Sequence, residues 1–330
     1  MNNKMKNLLI TLLRYSSIEL FVLIFIFFGL FTRNWFTGSN FAMIIKQASY
    51  IGILAIGITF PLITAGTDLS VGAVMFMSMS IVALMIEKGQ SLFVAFTVAI
   101  AVGIVIGLIN GFFVVKVRVM PFIGTLATMT IIRGITLILT DSRAMNLPQY
   151  LTIDFGNAKL FGFLPYPVLV FIILLVIFHF ILSRTPLGRR IYACGNNLEA
   201  AKKAGINTDL TLFSAYVICS FLAVIAGFVS ATQIGNVPYA FGDGYEFDAI
   251  AASVLGGTSL LGGAGSILPG VVIGAVTIQM ITAGLTAMQI NIYLIDIFKA
   301  MFILLAVILD CMKNTYITKL ETRSIRAEKE

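Results

Sequence analysis

Few side chains in this sequence could do covalent chemistry. Gly256-Gly257 and Gly262-Gly263-Ala264-Gly265 have the composition of a phosphate-cradling loop. Such a loop needs a lysine for the phosphates and a hydroxyl for magnesium, in the order Gly-Lys-Ser/Thr. That order occurs nowhere in the chain, so no ATPase site is expected. The glycines read as a break where helices approach closely. Glu246 and Asp248 are a carboxylate pair without a partner base, a metal set or a soluble cleft. Cys194, Cys219 and Cys311 have no paired spacing, which argues against a disulfide framework and against zinc. His179 has no second histidine nearby and reads as an interfacial imidazole, not a proton relay. Neither a catalytic residue, a metal nor a cofactor is expected on this chain.

Buried charge is the more informative chemistry. Asp68 follows a long apolar run in Gly66-Thr67-Asp68-Leu69-Ser70. It can cap the next helix through the amides of Ser70 or Val71, or line a path across a membrane, where ionisable groups are costly and often functional. Asp68, Ser70, Gly256, Gly257 and Ser259 are the candidates for lining or gating such a path. Arg133 pairs with Asp68 or with a backbone carbonyl; the sequence does not choose. Asp296 and Lys299, three apart, can neutralise each other on one helix face. Lys46 lies inside an apolar run and can snorkel.

These residues must be positioned by membrane helices. The chain has 330 residues, 59% hydrophobic and 11% charged, with a mean hydropathy of +1.00. A soluble domain carries about 25% charged residues, so lipid is the expected solvent. An apolar span needs about 20 residues. The sequence predicts an all-α polytopic bundle of about ten spans, near 18–36, 41–65, 70–86, 92–115, 119–140, 164–183, 211–232, 246–258, 262–285 and 291–311. The eighth is short or broken and is counted as a crossing. The first is an uncleaved span with an aromatic interfacial end at Phe31, Trp35 and Phe36. With both termini inside, 15 basic loop residues face the cytoplasm against 4 outside, as the positive-inside rule requires. The net charge of +7 therefore reports topology, not nucleic acid. The whole of 1–330 is one membrane domain, with a cytoplasmic loop at 184–210 and a short tail at 313–330. Gly103, Gly107 and Gly111 on one span, and Gly270 and Gly274 on another, predict close helix approach within the subunit.

The loop at 184–210 has helix punctuation of its own. Asn197 is a good N-cap, Glu199 suits a first turn, Lys202 and Lys203 suit a last turn, and Gly205 fits a left-handed C′ position. A two-turn helix is marginal in water alone, so it must dock on its own bundle or on a partner. Small Ala200, Ala201 and Ala204 permit close approach.

Gly188-Arg189, Tyr192-Ala193, Gly195-Asn196, Ala200-Ala201 and Gly205-Ile206 resemble the cytoplasmic motif of ribose- and galactose-type ABC transporter permeases. Gly66 to Gly72, Pro121 to Leu126 with Arg133-Gly134, and Tyr245 to Ala252 continuing through Gly256 to Gly263 match the same family in order. The resemblance runs from about residue 40 to 310; Leu261, Pro269 and Lys46 depart from it. It implies a multi-pass permease of the bacterial inner membrane, without an ATPase site of its own, translocating a monosaccharide, ribose first. It also implies that Gly188, Arg189, Tyr192, Gly195, Asn196, Asn197, Ala200, Ala201 and Gly205 couple the bundle to a cytoplasmic ABC ATPase, which holds ATP and magnesium. A periplasmic or lipid-anchored sugar-binding protein would meet the outer side, with Glu246 and Asp248 as contacts or as helix caps. A second permease subunit, as a homodimer, would complete the path. The competing class is an ion-coupled secondary transporter, which usually carries inverted repeats and mid-membrane acids; the sequence has no clear repeat and few such acids.

Overall fold

The computed structural model describes residues 16–291, 293–302, 304 and 308. It is an all-α polytopic bundle. The helices are α1 (Ser16–Phe31), α2 (Gly38–Ile63), α3 (Val71–Glu87), α4 (Leu92–Gly111, prolonged by a π turn at Phe112–Lys116), α5 (Pro121–Leu139), α6 (Tyr166–Arg184), α7 (Pro186–Asn196), α8 (Leu198–Lys203), α9 (Thr208–Ile234), α10 (Tyr245–Leu255) and α11 (Val272–Ala287, preceded by a π turn at Ile267–Val271). Two short strand pairs tie loops together: Met145–Asn146 with Asn236–Val237, and Lys159–Leu160 with Leu164–Pro165.

Six helices among the described residues are long and apolar enough to cross a membrane, against the ten spans expected. The difference has physical causes. α1 and α3 have 16 and 17 residues, about 24–26 Å at 1.5 Å per residue, short of a hydrocarbon core of about 30 Å. α3 is buried along most of its length, so protein rather than lipid surrounds it. α10 has 11 residues and reaches only about half of that core. The eighth predicted span is thus a half-helix, preceded by a two-residue strand at Asn236–Val237 and by turns at 239–244. The tenth falls partly outside the described residues, with helix at 293–302, and the tail 313–330 lies outside them.

The chain divides into two compact units, one of residues up to 44 and from 277 onward, the other Ile45–Val276. The smaller unit is held by aromatic rings. Trp35 is 2% exposed and packs 5.4 Å from Phe28 and 6.3 Å from Phe25, centroid to centroid. Trp35 is therefore a core residue, not the interfacial anchor expected; Phe31 and Phe36 are the exposed rings.

The larger unit is centred on α9, buried among α3, α4 and their neighbours. The tandem glycines explain the closeness. A Cβ on Gly107 would stand 2.9 Å from the Tyr216 carbonyl oxygen, and one on Gly111 would stand 2.7 Å from the Phe213 ring. Both neighbours lie on α9 of the same chain, so this glycine face serves packing inside the subunit. A Cβ on Gly256 would meet the Gly270 backbone at 2.5 Å, and one on Gly274 would fall on the Ala252 carbonyl oxygen. Hydroxyls on α5 are satisfied within the helix: Thr125 donates to the Pro121 carbonyl (2.8 Å), Thr128 to Gly124 (3.0 Å) and Thr136 to Ile132 (2.7 Å). Lys46 does not end in lipid; its Nζ donates to Asn157 Oδ1 at 2.7 Å.

Lys116 and Asp209 form a 2.5 Å ion pair with side chains 54% and 50% exposed. Water screens such a pair. Asp209→Asn should therefore cost under about 1 kcal/mol, read as a melting shift of a few degrees at most in detergent; a larger loss would show that the pair is shielded from water.

Candidate functional site

The loop at 184–210 folds as a hairpin of two helices, not the single short one expected. Thr185 caps α7, accepting from the Gly188 amide at 3.4 Å, and Pro186 occupies the first turn. Thr-Pro at 185–186 was the missed signal. Ile191 and Cys194 turn inward, while Arg189 and Arg190 stay exposed. Gly188 is required because a Cβ there would fall on the Leu182 carbonyl. Asn197 then breaks the helix and caps α8, its Oδ1 accepting from the Ala200 amide at 2.9 Å. At the far end Gly205 takes φ +80. The Gly205 amide donates to Lys202 O (3.0 Å) and the Ile206 amide to Ala201 O (3.1 Å), the pairing of a Schellman stop. Ala201 is 4% exposed and faces the bundle. The small residues therefore do not form one outward patch; Leu198, Glu199, Ala200, Lys202 and Lys203 make the exposed face.

α7 is wired into the bundle at its end. A Cβ on Gly195 would fall on the Ile63 carbonyl oxygen at the end of α2 and stand 2.7 Å from the Gly263 amide. That amide donates to the same Ile63 carbonyl at 2.8 Å. Tyr192 donates its hydroxyl to the Gly265 carbonyl at 2.8 Å, and Asn196 Nδ2 donates to Tyr192 O at 3.0 Å. The hairpin, the end of α2 and the glycine loop between α10 and α11 thus meet at one point. Within that loop the Ser259 amide donates to Ala264 O at 2.9 Å, and Gly257 takes φ +95.

Burial raises the Tyr192 phenol above its ordinary value near 10. Because the folded state holds this proton more tightly, the group's stabilisation is complete below pH 10 and declines above it. Tyr192→Phe should cost about 0.5–1.5 kcal/mol, equally at pH 6 and pH 9. Melting curves at the two pH values check this; a cost that vanished at pH 9 would mean the phenol had ionised.

Asp68 and Ser70 lie elsewhere, both with 0% exposure. Asp68 Oδ1 accepts from the Ser70 amide (2.9 Å), the Ser70 hydroxyl (2.7 Å) and Asn110 Nδ2 (3.2 Å). Asn110 Nδ2 also donates to Ser70 Oγ at 2.8 Å, and the Leu69 amide donates to Thr125 Oγ1 at 3.1 Å. The network fastens the α2–α3 junction to α4 and α5. The five pathway candidates therefore form two separate groups: Asp68 with Ser70 in this knot, and Gly256, Gly257 and Ser259 near the α7 junction.

Arg133 does not reach Asp68. Its Nη2 lies 2.6 Å from Asp243 Oδ1, and its guanidinium sits 5.6 Å from the Phe76 ring centre, within cation–π range. Glu246 and Asp248 are 4% and 5% exposed. Contact with an incoming protein requires exposure that neither has here, because the first turn of α10 is packed against α3. A Cβ on Gly72 would stand 2.6 Å from Glu246 Oε2. Asp243, 57% exposed, is the accessible acid of this region.

Apolar helices long enough to span, charge knots between them and a capped hairpin joined to the bundle define a membrane transport component. The chain belongs to the family described as branched-chain amino acid transport system / permease component, which matches residues 40–307. It is 38% identical to the ribose import permease protein RbsC of Escherichia coli K12 over 307 residues, covering 91% of this chain and 94% of that one. The Bacillus subtilis ribose import permease protein RbsC is 36% identical, covering 89% of this chain and 91% of that one. The Yersinia pestis (strain Pestoides F) autoinducer 2 import system permease protein LsrC is 33% identical, covering 87% of this chain and 81% of that one. No solved structure matches the chain.

Proposed function

We propose that this chain is the membrane-spanning subunit of an ATP-driven importer that translocates a monosaccharide, ribose first. ATP and magnesium are held by a separate cytoplasmic ATPase, since the sequence lacks the Gly-Lys-Ser/Thr that a phosphate loop needs. A sugar-binding protein delivers substrate on the outer side, and a second permease copy completes the path. The chain is one membrane domain that crosses ten times with both termini inside, α10 and the stretch before it together making the eighth crossing. The names and coverage of the ribose permeases support the substrate class.

The observation that carries the mechanism is the joint at Gly195, Ile63 and Gly263. An ATPase that grips the exposed face of α8 moves α7, and α7 moves the end of α2 and the glycine loop directly. Binding energy spent on that face biases the bundle between inward-open and outward-open arrangements. The test is a cross-link. Ala200→Cys should join a cysteine on the purified ATPase subunit and should change its yield when ATP is added. If Ala200→Cys instead reacts with a membrane-impermeant reagent from outside intact cells, the orientation and the coupling role both fall.

A further inference from the structure

The loop that leads into α6 ends in a hairpin with an apolar tip. Lys159–Leu160 pairs with Leu164–Pro165, and Phe161-Gly162-Phe163 makes the turn. Phe161 is 84% exposed and Phe163 73%. Phe161 takes φ +53 and Gly162 φ +78. A bulky residue in the left-handed region is costly, and Asn or Asp fills such a turn position with less strain. The fold therefore holds a phenyl ring outward where the turn itself favours a polar side chain.

The hairpin sits at the edge of the membrane. It joins α6 directly, since Pro165 immediately precedes Tyr166, the first residue of that helix. From Tyr166 to Arg184 α6 rises about 27 Å, close to a hydrocarbon core of about 30 Å. Arg184 is exposed at the start of the α7–α8 hairpin, so Tyr166 lies at the opposite hydrocarbon edge. α2 gives the same level independently. It runs beside α6: a Cβ on Gly52 would meet the Phe171 ring at 2.5 Å, and Phe60 lies 5.9 Å from Phe178, centroid to centroid. Lys46 is about 9 Å before Gly52 and Tyr166 about 8 Å before Phe171. The bond from Lys46 Nζ to Asn157 Oδ1 thus sets the other arm of the hairpin at the same height. Tyr166 closes the base, its amide donating to Ala158 O at 3.2 Å and its ring stacking 6.1 Å from Phe155. The arm of four residues from Tyr166 to Gly162 spans at most about 14 Å, so lipid is an apolar medium within reach of both rings. Lys159 is exposed at the base and near enough to Lys46 for the two cations to repel. Cations at that level suit lipid phosphates.

We propose that Phe161 and Phe163 insert into the lipid leaflet on the side opposite the α7–α8 hairpin, with Lys159 at the phosphates. The partner is the bilayer surface, and the hairpin anchors the end of α6 in it. This anchor goes beyond the importer reading and needs only that α6 spans. It holds one end of α6 while the other end carries α7.

The chain has one tryptophan, Trp35, which is 2% exposed, so added tryptophans can be followed by fluorescence. The test places single substitutions in the full chain, in nanodiscs of phosphatidylcholine and phosphatidylglycerol. Gln90→Trp, exposed after α3, is the water reference. Val176→Trp, 61% exposed midway along α6, is the lipid reference. With the parent signal subtracted, Phe161→Trp and Phe163→Trp should emit to the blue of Gln90→Trp. Lipids brominated near the headgroup end of the chain should quench both, and iodide should quench them about threefold less than Gln90→Trp, as for rings at the interface. Val176→Trp should respond best to lipids brominated near the chain terminus. Iodide quenching equal to that of Gln90→Trp, without lipid quenching, at either position overturns the anchor. Protection that appears only after a sugar-binding protein is added also overturns it, in favour of a protein-docking tip. If Phe161→Trp misfolds at its left-handed position, Phe163→Trp decides alone.

Discussion

Gly195→Val is expected to lower ATP-driven uptake more than tenfold while the protein still inserts in the membrane. The smallest side chain at this position already collides, because its Cβ would fall on the Ile63 carbonyl oxygen and close on the Gly263 amide at 2.7 Å. Both neighbours are backbone, so relief requires α7 to move away from α2, and the 2.8 Å bond from Gly263 N to Ile63 O lies in the way. Overpacking of this kind costs about 1–3 kcal/mol. A distortion near the middle of that range suffices for a tenfold change in an equilibrium between two transport states. Uptake and ATP hydrolysis measured together are the check. Hydrolysis that persists without uptake marks uncoupling, whereas normal uptake in Gly195→Val would remove this joint from the transport cycle.

Asp68→Ala is expected to melt far below the parent protein, and Asp68→Asn close to it. Alanine removes the acceptor for the Ser70 amide, the Ser70 hydroxyl and Asn110 Nδ2 at once. Each buried donor left unpaired costs about 1–3 kcal/mol, and at 0% exposure water does not easily replace the lost partner. Asparagine keeps the Oδ1 acceptor, so these three donors stay paired. Scanning fluorimetry in detergent separates the two variants. Uptake then adds a second reading: parental transport in Asp68→Asn would assign the residue to fastening the α2–α3 junction and remove the charge from the mechanism. A stable Asp68→Asn protein that fails to transport would assign the charge itself to the path.

Much of this was readable from local chemistry. Asn197, Gly205 and the lysines between them announce α8, because a cap and a left-handed stop act within a few residues. Apolar length announces α2, α4, α5, α6 and α9, because a lipid span must satisfy its own backbone wherever it sits in the chain. α7 is absent from the sequence reading although Thr185-Pro186 signals its start; the caps considered there begin only at Asn197. The partner of Arg133 was not readable at all. Asp243 is 110 residues away, and nothing in either neighbourhood names the other.

The sequence by itself determined that this is a membrane bundle, where its long apolar helices lie, and that the loop at 184–210 carries the caps and stop of α8. It did so because hydropathy, caps and turns are properties of contiguous residues. The tertiary structure alone decided that Trp35 is core, that Glu246 and Asp248 are buried, and that Gly195 abuts Ile63. Those outcomes depend on which surfaces meet after the chain has closed on itself, and burial is a property of the neighbours a residue acquires, not of the residue.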